Sequence, residues 1–177
     1  MEKIEIPLNK SKLLFGIGGA ILFVTTGIYL LNLAEEQTKF NPIVVTIVGW
    51  LAILFFGIVG IYGMIKLFDK KIGVAIDEDG ILDNSNAGSV GLIKWTDITQ
   101  IKTEQIKSTA FLLIFVTNPQ EYINRNKGLK KKLQQANMKM YDTPIAITSN
   151  TLQCSFKDLE RQVREKFAEL NATQLHL

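Results

Sequence analysis

Histidine and cysteine, the side chains most often recruited as base, nucleophile or soft-metal ligand, occur once each in this chain, at His176 and Cys154. A catalytic triad or a Cys-based zinc site needs several such groups converging on one point. The count alone therefore removes Ser-His-Asp, Cys-His and most His-metal chemistry. His176 is also the penultimate residue, where chain ends fray. Cys154 has no partner in the chain for a disulfide and is expected as a small packing residue.

The carboxylates offer little more. Asp77, Glu78, Asp79 and Gly80 crowd together as calcium ligands do, but the glycine comes too early for an EF-hand loop and its closing Glu is missing. They are expected to form a solvated turn, with Gly80 supplying a positive φ. Asp97 follows Trp95 in "GLIKWTDITQIK". An acid catalyst there would want a second acid, a base or a metal beside it, and the neighbouring sequence has none. Asp97 is expected to accept a backbone N–H and fix a bend. "GIGGA" at residues 16–20 lacks the Lys-Ser/Thr and the preceding strand of a phosphate loop. No catalytic, cofactor-binding or metal-binding residues are expected, and the chain reads as a non-enzyme.

What remains is charge at a surface. Arg125, Lys127, Lys130, Lys131, Lys132 and Lys139 lie in "NRNKGLKKKLQQANMKMYD", with no acidic residue between Glu121 and Asp142. Leu129, Leu133, Ala136 and Met140 recur at helical spacing, which predicts an amphipathic helix over Lys127 to Met140 with basic residues around one apolar stripe. One reading is a solvated helix docked on its domain. The other is attraction to anionic lipid head groups, where each basic residue near the surface adds about 1 kcal/mol. Nucleic acid is disfavoured, because no aromatic residues for base stacking are interleaved with the charges and the net charge is only +3.

The elements that carry these residues follow from the distribution of apolar residues. Hydrophobic residues make up 47% of 177 and charged residues 21%, with mean hydropathy +0.16, so the two kinds must be segregated. From Leu13 to Leu31, and again from Ile43 to Ile65, no residue is charged. Each run as a helix reaches about 28 Å or more, enough to cross a bilayer. The first run is too long for a signal peptide, and "LNLAEE" is a poor cleavage site. Residues 1–12 form an N-terminal flank, 32–42 an external loop and 66–72 a juxtamembrane linker.

Lys3, Lys10 and Lys12 before the first run and Lys66, Lys70 and Lys71 after the second outweigh Lys39 in the loop, which sits near Glu35 and Glu36. Both termini are therefore expected in the cytoplasm. Tyr29 and Tyr62 suit the two interfaces, and Pro42 suits the first turn of a helix. Gly16 with Ala20, and Gly57, Gly60 and Gly63, form small-residue stripes that pack the hairpin on itself or on another copy.

After residue 72 the period changes. "GVAIDEDGILDNS" reads as strand, turn, strand. In the stretch from Val90 to Trp95 the residues alternate, with Trp95 as a core anchor. "AFLLIFV", Ala110 to Val116, is too short to span and fits a strand buried on both faces. Ile145 to Thr148 gives another strand. Ser155 and Asp158 open a final helix whose apolar stripe runs through Phe156, Leu159, Val163, Phe167 and Leu170, with Glu160–Arg164 and Arg161–Glu165 pairs outside.

With "IDEDGILDNS", "GLIKWTDI", "MYDTPIAITSNTL" and the closing helix, nearly the whole chain resembles an uncharacterised family of small bacterial inner-membrane proteins. These carry a two-helix transmembrane hairpin followed by a pleckstrin-homology-like domain. The resemblance implies an α+β domain over residues 73–177, in which a strongly bent antiparallel sheet is closed by the C-terminal helix. It implies no reaction. The helical basic insertion at 119–141 departs from a minimal pattern of this kind, and the acidic first turn argues against a phosphoinositide site. The function so implied is a membrane-anchored interaction module for a protein partner or the inner leaflet. The alternative is a structural subunit that homo-oligomerises through its spans.

Overall fold

A computed structural model describes residues 3–34, 39–68 and 72–174. Glu35, Glu36, Lys70, Lys71 and His176 lie outside the described residues. The chain divides into two compact units. One is the pair of long helices, and the other joins the N-terminal residues through Asn9 to the chain from 72 onward.

The helical unit consists of α1 (Lys10–Leu33) and α2 (Pro42–Phe68). Both are long and apolar enough to cross a membrane. Neither is a core helix, since most of their large apolar side chains are exposed, Phe15 to 86%. Pro42 opens α2, where its missing N–H costs nothing, and the Asn41 side chain accepts the Ile43 N–H at 2.9 Å. Thr25, Thr26 and Thr46 satisfy their hydroxyls on carbonyls one turn back, which a lipid-facing helix requires. The helices meet most closely at Gly27 and Gly49. A Cβ on Gly27 would lie 2.9 Å from the Gly49 carbonyl oxygen. Phe23 and Phe56 stack with ring centroids 4.1 Å apart.

The second unit is α+β. Strands β1 (Ile4–Ile6), β2 (Val74–Ile76), β3 (Gly80–Asp83) and β4 (Gly91–Lys94) form one antiparallel sheet in that order. A 3₁₀ turn over Trp95–Asp97 leads into β5 (Ile98–Ile106), which pairs with β6 (Thr109–Val116) and then β7 (Ile145–Ile147) in a second sheet. Between β6 and β7 lie α3 (Pro119–Asn124) and α4 (Gly128–Tyr141), and α5 (Phe156–Gln174) follows β7. The core holds Ile76, Ile81, Ile93, Leu112, Ile114, Ile147, Leu159 and Val163.

The sequence boundary at residue 73 leaves out a strand. Ile4, Glu5 and Ile6 pair with Ile76, Ala75 and Val74, so the domain begins before the first long helix and resumes after the second. The bridge between Leu8 and Leu152 extends this closure. A three-residue strand whose partner is so distant in sequence carries no local signal.

Two further expectations change. Gly80 does not have a positive φ, unlike Gly91 and Gly128. It is needed because an added Cβ would sit 2.0 Å from the Ile93 carbonyl oxygen, so close approach of β4 selects the glycine. Arg161 pairs with Asp158 at 3.1 Å, on the same side as the Ser155 cap that accepts the Asp158 N–H. Glu160 pairs with Arg164 as expected.

Trp95 is 8% exposed, its ring 6.2 Å from that of Phe167, which is only half-buried. Trp95→Ala is therefore expected to cost about 3–5 kcal/mol, and Phe167→Ala clearly less. Thermal unfolding of the full chain in mild detergent measures both. An unchanged midpoint for Trp95→Ala would place that ring outside the core.

Candidate functional site

The residues singled out for chemistry gather around α3 and α4. Asp97 ends the 3₁₀ turn, and its carbonyl accepts the Thr117 N–H at 2.9 Å. Its side chain does not take a backbone N–H as expected. It accepts the Tyr122 hydroxyl at 2.6 Å instead, and Tyr122 in turn receives the Lys94 N–H. Burial, with the Asp97 carboxylate accepting its proton, pushes the Tyr122 phenol up to about 12. The pair is thus a fixed donor and acceptor, with the proton on the phenol across the ordinary pH range. It ties α3 to the end of β4. Trp95 completes the junction by donating its indole N–H to the Asp77 carbonyl at 2.8 Å.

Asp77 heads a hydrogen-bonded turn. Its carboxylate accepts the N–H groups of Asp79 and Gly80 at 3.1 and 3.2 Å. Both bonds fall on Oδ1 and fix the turn. Among the described residues no three His, Cys, Asp or Glu side chains are grouped to hold a metal.

The six basic residues separate into two groups. The Arg125 guanidinium lies over the Tyr122 ring at 4.1 Å, pairs with Glu121 and donates to the Leu92 carbonyl. Lys131 donates to Asn124 at 3.0 Å, and both Lys130 and Lys131 are half-buried. Lys127, Lys132 and Lys139 are exposed. The helix forms where expected, but it docks through an unexpected face. Gln134 is fully buried, while Leu129 and Met140 are 67% and 64% exposed.

The reason is the loop 84–90. Its Gly88 and Ser89 carbonyls accept the Gln134 amide at 3.2 and 3.3 Å. A backbone carbonyl withdrawn from water needs a donor, and α4 supplies one that no apolar residue could. The other end of the loop is held by Asp83, buried on β3, whose carboxylate accepts the Ser85 N–H and hydroxyl at 3.0 and 2.7 Å. An open cleft of about 400 Å³ is lined by Asn86, Thr109, Phe111, Asn137, Ala146 and Thr148, among others. These groups offer uncharged hydrogen bonds and no acid-base pair.

In the helical unit, Ala20, Gly60 and Gly63 lie at the helix contact, with Gly60 against Ala20 and Gly63 against Ile17. Gly16 and Gly57 meet nothing within 4 Å. Gly27 and Gly49, which the small-residue spacing did not single out, make the closest approach. Gly27 stands seven residues after Ala20, a spacing that would have revealed the shared face.

Burial holds the Asp83 carboxyl above its ordinary 3.8, and the Ser85 hydrogen bonds only partly offset this. The native state therefore keeps a proton that the unfolded chain has released. Stability from this group is greatest below 3.8 and falls as pH rises through the raised native value. Asp83→Asn keeps the acceptor oxygen, so the variant's melting midpoint should gain on the parent's as pH rises from 3.8. Parallel curves would show that the carboxyl titrates normally. No protein-family model matches the chain, and no match is found among curated proteins or solved structures.

Proposed function

We propose that the protein is a membrane-anchored, non-enzymatic interaction module of the bacterial inner membrane, with a pleckstrin-homology-like domain held in the cytoplasm by a two-span hairpin. The observation that carries this reading is the pairing of Ile4–Ile6 with Val74–Ile76. One sheet is assembled from segments on either side of α1 and α2, so both flanks must lie on one side of the bilayer. Two crossings satisfy that requirement. The basic residues in the flanks choose the cytoplasmic side.

The finer fold assignment draws support from the order of elements: a four-stranded antiparallel sheet, a three-stranded one and a helix after the last strand. Binding rather than catalysis is favoured by how the carboxylates are used. Asp77, Asp83 and Asp97 each fix local structure through hydrogen bonds. The partner is a protein or the anionic inner leaflet.

A second reading, homo-oligomerisation in the bilayer, is favoured by an apolar cleft of about 320 Å³ along the helical unit. Ala20, Val24, Phe56, Gly57 and Gly60 line it, and the side-chain-free surface of Gly57 admits another helix closely.

Reporter fusions at both termini and in the loop between α1 and α2 test the topology. Cytoplasmic reporters are expected to be active at both ends and a periplasmic one in the loop. A periplasmic C-terminus would overturn the proposal.

A further inference from the structure

We infer that α4 is an interfacial element that lays the ridge Leu129, Ala136 and Met140 onto an anionic bilayer surface, with Lys132 and Lys139 at the lipid phosphates. This rests on the membrane-anchored reading above and names the surface the domain touches. At about 100° per residue, Leu129, Ala136 and Met140 fall on one face of α4, Lys132 and Lys139 fall beside them, and Gln134 points the opposite way into the domain. All five ridge and lysine positions are exposed. Leu129 and Met140 are the two most exposed large apolar side chains of the α+β unit among the described residues.

Three observations select a bilayer as the occupant. Charge comes first. Among the described residues neither Lys132 nor Lys139 is in an ion pair, and the segment from Tyr122 to Tyr141 has no acidic residue. An acidic patch on a protein would suit the lysines, but the adjoining apolar ridge suits a surface that is charged at one depth and apolar just below it. The second is the use of the helix's other face. Gln134 holds α4 by hydrogen bonds to loop carbonyls, so the apolar ridge is not needed to dock the helix. The third is the tether. Chain connectivity joins the domain to α1 after Asn9 and to α2 before residue 72, so contact with the bilayer is intramolecular and a weak ridge suffices. Leu129, Ala136 and Met140, with no aromatic among them, would not hold a free protein on a membrane.

The test uses the full chain with Cys154→Ser and single cysteines introduced by Leu129→Cys, Met140→Cys or, as a control on exposed β5, Glu104→Cys. Each is labelled with an environment-sensitive fluorophore and reconstituted into phosphatidylcholine vesicles with or without phosphatidylglycerol. Quenching by a lipid spin-labelled near the glycerol is expected at 129 and 140, well above that at 104, in the anionic vesicles. Lys132→Gln with Lys139→Gln should lower the docked-to-free ratio about thirtyfold at low salt. High salt should do the same to the parent.

Equal aqueous iodide quenching at 129, 140 and 104 in a chain that resists carbonate extraction would overturn the inference and leave the anchor intact. Extraction by carbonate would overturn both. Self-quenching at 140 that follows protein-to-lipid ratio and ignores lipid charge would assign the ridge to a second copy and overturn the bilayer as its occupant.

Discussion

The three-residue pairing between β1 and β2 is the constraint on which the rest depends. Without β1, the inner edge of β2 presents unpaired N–H and C=O groups, and the buried Val74, Ala75 and Ile76 lose a neighbour. The contact is nonlocal, since the chain must leave through α1 and return through α2 before it can form. Closing so long a loop would be costly for a disordered chain. Here the intervening residues are themselves a packed helical pair, with Gly27 against Gly49 and Phe23 stacked on Phe56. The pair shortens the effective loop, so the hairpin helps close the sheet.

The same constraint shows what a sequence makes legible. Local periodicity revealed the two long helices, the strand expected at Ala110–Val116, which is buried on both faces at Leu112–Ile114, and the capped helix α5. Each has its signal within its own span. β1 had none, because "IEI" becomes a strand only when β2 returns to it. Gly80 was recognised as necessary for the wrong reason. A turn suggests backbone conformation, whereas the pressure comes from the Ile93 carbonyl on another strand. Trp95 is buried, as the alternation suggested, but the partner of the Asp97 carboxylate is Tyr122 on α3, beyond reach of any reading of neighbouring residues.

The orientation of α4 was the least legible feature, and its cause is electrostatic. An amphipathic pattern points its apolar stripe at an apolar partner, which presumes that the partner is a sheet face. Here the partner includes the carbonyl edge of loop 84–90, and Gln134 satisfies Gly88 and Ser89 at once while Asn126 donates to its oxygen at 3.4 Å. Leaving either carbonyl buried and unpaired would cost about 1–3 kcal/mol. Burying Leu129 instead would gain about 1.5–3 kcal/mol and leave both carbonyls without a donor. The balance favours the polar face inward.

That balance has a consequence for the lysine-rich segment as a whole. Arg125 and Lys131 are drawn toward the domain by Tyr122, Glu121 and Asn124, and Lys130 is half-buried. Side chains so engaged are poor ligands for an external surface, because releasing them forfeits contacts already made. Among the described residues Lys127, Lys132 and Lys139 are exposed and outside any ion pair, whereas the exposed Arg125 is paired with Glu121, which leaves about half the positive charge that a count along the sequence suggests. A purely electrostatic attachment with three exposed charges would be shallow and easily screened. The face that Gln134 forces outward adds Leu129 and Met140 to the same side as Lys132 and Lys139. A term that salt does not screen then accompanies the charge, and the polar docking that hides the lysines is also what exposes the apolar ridge.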